Sequence, residues 1–307
     1  MRAPENRSAV SVIMPIYNGE RYVQEALDSV FAQTFCDYDV VCVDDGSTDR
    51  SFQLLEQYRS RLRVIRQANA GQSAARNQGV QASTGRYLAF LDQDDRWYPH
   101  KLAQQVDLLE TRNDVVLVYC NSDRMDSEGH VFQVGATKAE QPRAEESLLG
   151  RLIGEGLVLP SSMLIRRDVF ERVGGFDPQL RGFEDFDLCA RLTKQGGIVL
   201  LEESGMCYRA HANSFNRAGG ITIVRSRERF LLRMRELYAG EMQKQALINE
   251  MLAECHSDWG MDEVRSGDRS VGRQRLLRSL GYNPLKFRTY TRFLRSFLPQ
   301  ETRRRCD

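Results

Sequence analysis

Hydrophobic and polar positions along the first hundred residues switch between two periods. "VSVIMP" (10–15) is a short apolar, β-branched run closed by Pro15. "NGERYVQEALDSVFAQ" then sets Val23, Ala26, Leu27, Val30 and Phe31 at the i, i+3, i+4, i+7 spacing of a one-faced helix. The plan repeats: "DVVCVDDGSTD" predicts a buried strand over 39–43, an acidic glycine turn and a helix through about Arg59. "RVIRQ" is a third strand, "GQSAARNQGVQAS" a helix opening at a glycine turn, and "RYLAFL" a fourth strand. Strands alternating with helices imply right-handed βαβ crossovers, and so an α/β fold with a mainly parallel central sheet covered on both faces.

The pattern loosens after residue 100. "DVVLVYC" (114–120) and "SSMLIRR" (161–167) read as strands, and the polar stretch 121–147 reads as a loop over the site. "RDVFERVGGF" is a short helix stopped at Gly174–Gly175. "RGFEDFDLCARLTKQGG" opens on an acid cluster and continues as a helix with Phe186, Leu188, Cys189 and Leu192 on its apolar side. Beyond about Gly220 the chain looks helical. In "PLKFRTYTRFLRSFLP", Tyr290, Phe293, Leu294, Phe297 and Leu298 share one face, with Arg288, Arg292 and Arg295 opposite. The predicted organisation is one domain over 8–220, in halves 8–99 and 100–220, followed by a helical, basic C-terminal extension over 221–307.

Composition adds a constraint and an asymmetry. With 307 residues, 41% apolar and 28% charged, the chain has the make-up of a soluble globular protein. Its net charge of +1 conceals a basic end: residues 269–307 carry eleven Lys/Arg against two acids, or +9, leaving −8 on the remainder. The seven cysteines are scattered without a CxxC pair, which argues against a zinc or disulfide framework and for a reducing, cytoplasmic setting, with Cys42 a buried thiol. "MRAPENRSAV" lacks an apolar signal core, and no run of 18 apolar residues predicts a spanning helix. Residues 284–305 read either as an interfacial helix for an anionic membrane surface, at the inner face of the cytoplasmic membrane, or as a helix packed on the core with a solvated basic face. No nucleic-acid motif accompanies the charge, so no nucleic-acid partner is expected.

The chemistry gathers at the strand ends. "PIYN", "DDGSTD", "QANAG" and "DQDD" fall on one edge, beyond the carboxyl ends of the strands, where parallel sheets bind ligands. "DQDD" places Asp92, Asp94 and Asp95 within four positions, a crowding that folding alone gives little reason for. Paired carboxylates there, with Asp44 and Asp45 on the neighbouring strand, suit Mg²⁺ or Mn²⁺. Mg²⁺ keeps few protein ligands and bridges to phosphates, so a phosphorylated substrate is implied. Neither GxxxxGK[ST] nor GxGxxG occurs, which leaves phosphate to the metal and to scattered donors such as Arg76 and Asn77. Asp49 reads as a helix N-cap.

Taken in order, "VSVIMPIYNGERYVQEALDSVFAQTF", "VVCVDDGSTD", "NAGQSAARNQG", "GRYLAFLDQDDRWYPHKL", "GGFDPQL", "GFEDFDLCARL" and "YRAHANS" resemble the family 2 glycosyltransferases, which have the GT-A nucleotide-sugar fold. The likeness is collinear over roughly residues 10–215. It implies an inverting transfer of a sugar from a nucleoside diphosphate donor, UDP favoured, to a hydroxyl of a cell-surface glycan or lipid-linked saccharide. Carried over by position, Pro15, Tyr17 and Asp45 contact the base. Asp92 and Asp94 form the DxD pair, with Asp94 nearest the metal. Asp185 is the catalytic base, and His211 lies near the diphosphate or metal. Asn18, Asp44, Asn69, Arg76, Asn77 and Gln93 complete the candidate donor site.

Elementary chemistry is consistent with these roles. Tyr17 can stack on a base, Asp45 can accept a base N–H, and an attacking hydroxyl needs a carboxylate to take its proton. A helix N-terminus predicts a lowered, ionised Asp185. Trp97 and Tyr98 read either as a platform for sugar or acceptor or as packing at a helix starting from Pro99. His100, His130 and His256 read as surface residues. A DxD phosphohydrolase would carry its nucleophilic Asp on the first strand, which here ends "PIYN". A non-catalytic nucleotide-sugar-binding or scaffold protein is the remaining alternative.

Overall fold

The computed structural model describes residues 8–136, 158–211 and 220–298. The first half follows the periodicity closely: β1 (Val10–Ile16), α1 (Val23–Phe31), β2 (Tyr38–Asp44), α2 (Ser51–Glu56), β3 (Arg63–Arg66), α3 (Gln72–Gln81) and β4 (Tyr87–Phe90). β1 pairs in parallel with β2 and β4, and β2 with β3. All seven residues of β1 are buried because both faces are covered. Val10, Val12, Met14 and Ile16 pack with α1 residues Val23, Ala26, Leu27 and Val30. Ile13 belongs to the opposite cluster, with Val41, Val43, Ala75 and Val80. α2 stops at Glu56 instead of Arg59, since Gln57 and Tyr58 donate to the carbonyls three residues back and tighten the chain into a turn.

The second half contains β5 (Arg96–Trp97), α4 (Lys101–Thr111), β6 (Val115–Met125), β7 (Val131–Gln133), a 3₁₀ turn at Pro160–Ser162, β8 (Met163–Arg166), α5 (Arg167–Arg172), α6 (Glu184–Leu192) and β9 (Gly197–Arg209). The sheet runs β3-β2-β1-β4-β8-β6-β9-β5, with β7 against β6. β8 is antiparallel to both β4 and β6, whereas the long β6–β9 ladder is parallel.

Three sequence expectations change here. β6 does not end at Cys120 but continues through polar residues to Met125, because these pair with a strand, β9, that the sequence did not reveal. Asp123 in that extension is satisfied by Ser204 Oγ (2.6 Å), the Tyr98 hydroxyl (2.7 Å) and the Gly135 N–H (2.9 Å). β8 is shorter than 161–167, as Pro160–Ser162 form the 3₁₀ turn before it. α4 starts at Lys101, beyond Pro99, whose carbonyl accepts the Thr34 N–H. Residues 137–147 of the predicted loop lie outside the described residues.

The chain divides into two compact units, Met1–Ala218 and Gly219–Asp307. The second consists of α7 (Gly220–Leu237), α8 (Met242–Ser266), α9 (Arg269–Tyr282) and α10 (Phe287–Arg295). α8 and α9 cross closely: a Cβ on Gly272 would lie 2.6 Å from the Gly260 carbonyl oxygen. His256 is fully buried, which corrects the surface assignment; its Nε2 lies 3.2 Å from Glu228 on α7, and its ring stacks on Tyr282. Those partners come from other helices, so local sequence could not show them. Cys42 is buried and unpaired, its thiol pushed up to about 12 by burial. Among the described residues, no helix is long and apolar enough to cross a membrane.

Candidate active site

The carboxyl ends of β1, β2 and β4 share one edge, and their loops are tied together by side chain–backbone bonds. After β1, Asn18 adopts φ +49°, its Oδ1 accepts the Thr48 N–H (2.9 Å) and its own N–H donates to Ser47 Oγ (3.0 Å). The Gln93 amide bonds both sides of Tyr17, accepting its N–H at 2.8 Å and donating to its carbonyl at 3.0 Å. Asn18 and Gln93 are therefore loop braces, and they hold a Tyr17 that is 47% exposed. Pro15 is buried within β1.

After β2, the two aspartates diverge. Asp44 is wholly buried, accepts the Ser47 N–H and sits 3.1 Å from Arg66 Nε, so it stabilises the turn from inside. Asp45 accepts from the Gln67 side chain and from the Ala70 and Gly71 N–H groups, each at 2.8 Å. It thereby fastens the loop bearing the exposed Asn69 to the sheet edge. Gly46 fits between them at φ +78°, where a Cβ would come 2.9 Å from the Asn69 nitrogen. Asp49 accepts the Ser51 N–H and the Glu20 N–H, but the N-cap position of α2 is Arg50, so Asp49 braces the turn one residue before the cap instead of being the cap itself.

α3 carries the connection across the edge. At its first turn, Gln72 Nε2 donates to Glu184 Oε1 at 2.5 Å. One turn on, the buried Arg76 donates to Asp92 at 2.5 Å and lies 3.6 Å from Glu184. Asn77 clamps Phe176 through both its backbone groups, at 2.7 and 3.1 Å, rather than extending toward the edge. Arg76 thus brings the "DQDD" turn and the start of α6 to one guanidinium.

The three crowded aspartates have three different partners. Asp92 has Arg76. Asp95 is buried and accepts Ser161 Oγ (2.6 Å) and the Arg209 N–H (3.1 Å); burial first, then Asp94 and Asp92, raise it well above the usual carboxylate range. Asp94 lies 2.9 Å from His211 Nε2, and its carboxyl is raised by burial and by Asp92, with His211 opposing. One positive charge among these carboxylates, the Arg76 guanidinium, comes from the chain itself.

At α6, Glu184 is buried and accepts the Gly182 N–H (2.7 Å) as well as Gln72, which makes it a brace rather than only a favourable first-turn acid. Asp187 pairs with Arg191 at 2.7 Å. Asp185 is half-buried and accepts the Phe186 N–H at 2.8 Å. Its carboxyl is pushed up to about 8, by burial first and Glu184 second. This reverses the predicted direction: desolvation and a like charge outweigh the helix N-terminus.

Trp97 is buried, with its indole N–H on the Ser161 carbonyl (2.7 Å), so it packs rather than offering a platform. Tyr98 is spent on Asp123. His100 is half-buried, Nε2 3.2 Å from the Ser204 carbonyl oxygen, while His130 is exposed as expected.

Among the described residues, no three His, Cys, Asp or Glu side chains converge into a metal cage. The Asp94–His211 pair, with Asp92 close enough to perturb Asp94, could supply at most a sparse protein donor set to a divalent ion.

Residues 11–174 match the family model described as glycosyl transferase family 2. The chain belongs to that family. Among its relatives, the uncharacterized glycosyltransferase alr2836 of Nostoc sp. is 38% identical over 223 residues, covering 69% of this chain and 68% of that protein. The uncharacterized glycosyltransferase EpsJ of Bacillus subtilis is 33% identical over 215 residues, covering 67% and 62%. The matched stretch thus spans about two-thirds of the length of these relatives. The fold of this glycosyltransferase is also that of S. aureus TarS 1–349 solved with UDP-GlcNAc, at TM-score 0.69 and 17% identity over 94% of this chain and 89% of that one. The same region of TarS solved with UDP gives 0.64, at 18% identity and 94% and 88% coverage.

One residue of this glycosyltransferase's edge escaped the sequence reading. Arg209, 1% exposed at the end of β9, donates from Nε to the Asp94 carbonyl (2.8 Å) and from Nη2 to Glu25 (2.5 Å). It fixes the backbone that carries Asp94. The sequence carries no local signal for it beyond its place two positions before His211.

Proposed function

We propose that this glycosyltransferase transfers a sugar, with inversion, from a UDP-sugar to a hydroxyl of a glycan or lipid-linked acceptor at the inner face of the cytoplasmic membrane. The observation that carries the reading is Arg76, which joins the "DQDD" carboxylate Asp92 to the acid cluster opening α6, next to Asp185. Gln72 on the same helix, and the Asp45-bound loop leading into it, extend that linkage to the end of β2. Base-binding, diphosphate-binding and proton-accepting groups would then share one edge. The UDP and UDP-GlcNAc in the TarS structures support a uridine donor.

In this reading Tyr17 and Asp45 receive the base, and Asp94 with His211 would hold Mg²⁺ or Mn²⁺, while Asp92 stays paired with Arg76. When bound, such a cation offsets the charge growing on the leaving diphosphate. Asp185 takes the acceptor proton as the acceptor oxygen bonds to the anomeric carbon; the carbon–oxygen bond to the diphosphate breaks, and UDP leaves with the electron pair. A base raised to about 8 holds its proton below that pH, so it becomes competent as pH rises.

The test is UDP release from a panel of UDP-sugars with Mn²⁺ and saccharide or lipid-linked acceptors, compared between the wild type and Asp185→Asn. Release in the wild type alone supports the assignment, and equal release removes Asp185 as base. UDP binding without turnover on any pair would favour the non-catalytic alternative.

A further inference from the structure

α10 is inside out. Its inward positions are polar: Thr289 and Ser296 are fully buried, Thr289 Oγ1 bonding Ser257 Oγ (3.2 Å) and Ser296 accepting from Arg273 (3.0 and 3.2 Å). Arg292, expected on a solvated face, instead reaches Ser257 and Asp258, at 2.8 and 2.5 Å. Outward, Phe287, Tyr290, Leu294 and Leu298 follow the i, i+3, i+7, i+11 spacing of one stripe, and Phe287 and Leu294 are 79% and 67% exposed. Phe297 lies exposed along the same stripe, and Leu285 is exposed in the turn just before the helix. This rules out a helix seated on the core by its apolar face, and leaves a run of aromatic and leucine side chains for something else to cover.

The charge beside the stripe selects the occupant. Arg288 and Arg295 are exposed on its flank and form no ion pair among the described residues, whereas Lys286 and Arg292 are taken by Glu254 and Asp258. The stretch just after the helix, "PQETRRRCD", adds three more arginines. A second copy docking by the same face would bring like-charged flanks together. An apolar stripe edged by arginines matches the boundary between anionic headgroups and acyl chains.

We infer that α10 is the surface by which this chain binds an anionic bilayer, with Phe287, Tyr290, Leu294 and Leu298 entering the interface and Arg288 and Arg295 on headgroup phosphates. The inference rests on the inner-face location proposed above for its biological setting. Its physics needs neither donor nor acceptor, so it can fail while the catalytic reading stands.

The experiment is co-sedimentation of the full chain with phosphatidylglycerol–phosphatidylcholine vesicles, with pure phosphatidylcholine vesicles, and with the mixed vesicles in excess inorganic phosphate at constant ionic strength. The expected result is binding to the mixed vesicles, weaker by about tenfold or more on the neutral ones and insensitive to phosphate. Leu294→Glu and the double variant Arg288→Glu/Arg295→Glu should each lose most of that binding while keeping wild-type circular dichroism and UDP binding. Three results overturn the inference: a full chain that ignores anionic vesicles, variants that bind like the wild type, or competition by free phosphate. Self-association abolished by Leu294→Glu without any vesicle binding would assign the stripe to a second copy instead.

Discussion

The "DQDD" turn and α10 depart from the usual separation of polar and apolar groups in opposite senses. At the turn, charge goes inward: Asp95 and Arg76 are buried, and Asp92 and Asp94 are mostly covered. Along α10, apolar side chains go outward while hydroxyls go in. The turn is compensated from within the chain, by Arg76, His211 and the Arg209 backbone. Among the described residues, α10 has no such internal compensation for its apolar stripe. Buried charge matched on the spot marks a built site, because unmatched charge there would cost several kcal/mol. Exposed apolar surface left unmatched marks a surface that meets something else.

Arg76→Met tests the internal compensation most severely. It leaves Asp92 and the buried Glu184 facing one another without a counter-charge, and urea denaturation should show a loss of about 3–5 kcal/mol. A loss below ~1 kcal/mol would mean the guanidinium is not what holds the acids together.

Asp185→Asn separates chemistry from architecture at the same edge. Turnover should fall by roughly 10²-fold or more, with UDP affinity measured by calorimetry unchanged. A parallel fall in UDP affinity would place Asp185 in donor binding instead.

The raised carboxyl of Asp185 gives a smaller, signed effect. Turnover should climb with pH through about 8, and the limb should vanish in Asp185→Asn. The folded chain holds a proton that the unfolded chain releases near 3.8, so this group's contribution to stability is present at low pH and is lost as pH rises through about 8. Denaturation midpoints that fall less steeply over that window in Asp185→Asn would confirm the sign; an unchanged slope would deny it.

The mildest contrast comes from α10. Arg292→Met breaks a pair whose Asp258 partner is 59% exposed, so the cost should be about 1 kcal/mol or less by the same urea titration. A cost approaching that of Arg76→Met would erase the distinction between the two regions.

The parts of the fold legible in the sequence are those where apolar residues do the work. β1, β2 and β4 are covered on both faces, so their runs of Val, Ile and Leu stand out, and the one-faced spacing of α1 does the same. β9 and the far end of β6 were hidden because polar residues satisfy one another across that ladder, as Asp123 and Ser204 do. The candidate site was legible as residue types at strand ends, but the tertiary bonds of those residues were not. Asn18, Asn77 and Gln93 turn out to lace loops together. Arg209 was missed because its value lies in tertiary contacts to Asp94 and Glu25. Asp185 was read with the wrong sign because local helix electrostatics were weighed without the burial that tertiary structure imposes.

The most direct test of a strand-end carboxylate holding a divalent ion against a donor diphosphate is calorimetry of UDP binding, with Mn²⁺ and with chelator, in the wild type and Asp94→Ala. Wild-type binding should weaken by about 10–100-fold on chelation, and the variant should bind that weakly even with Mn²⁺ present. Equal UDP affinity in all four titrations, with the variant's circular dichroism unchanged, would contradict it.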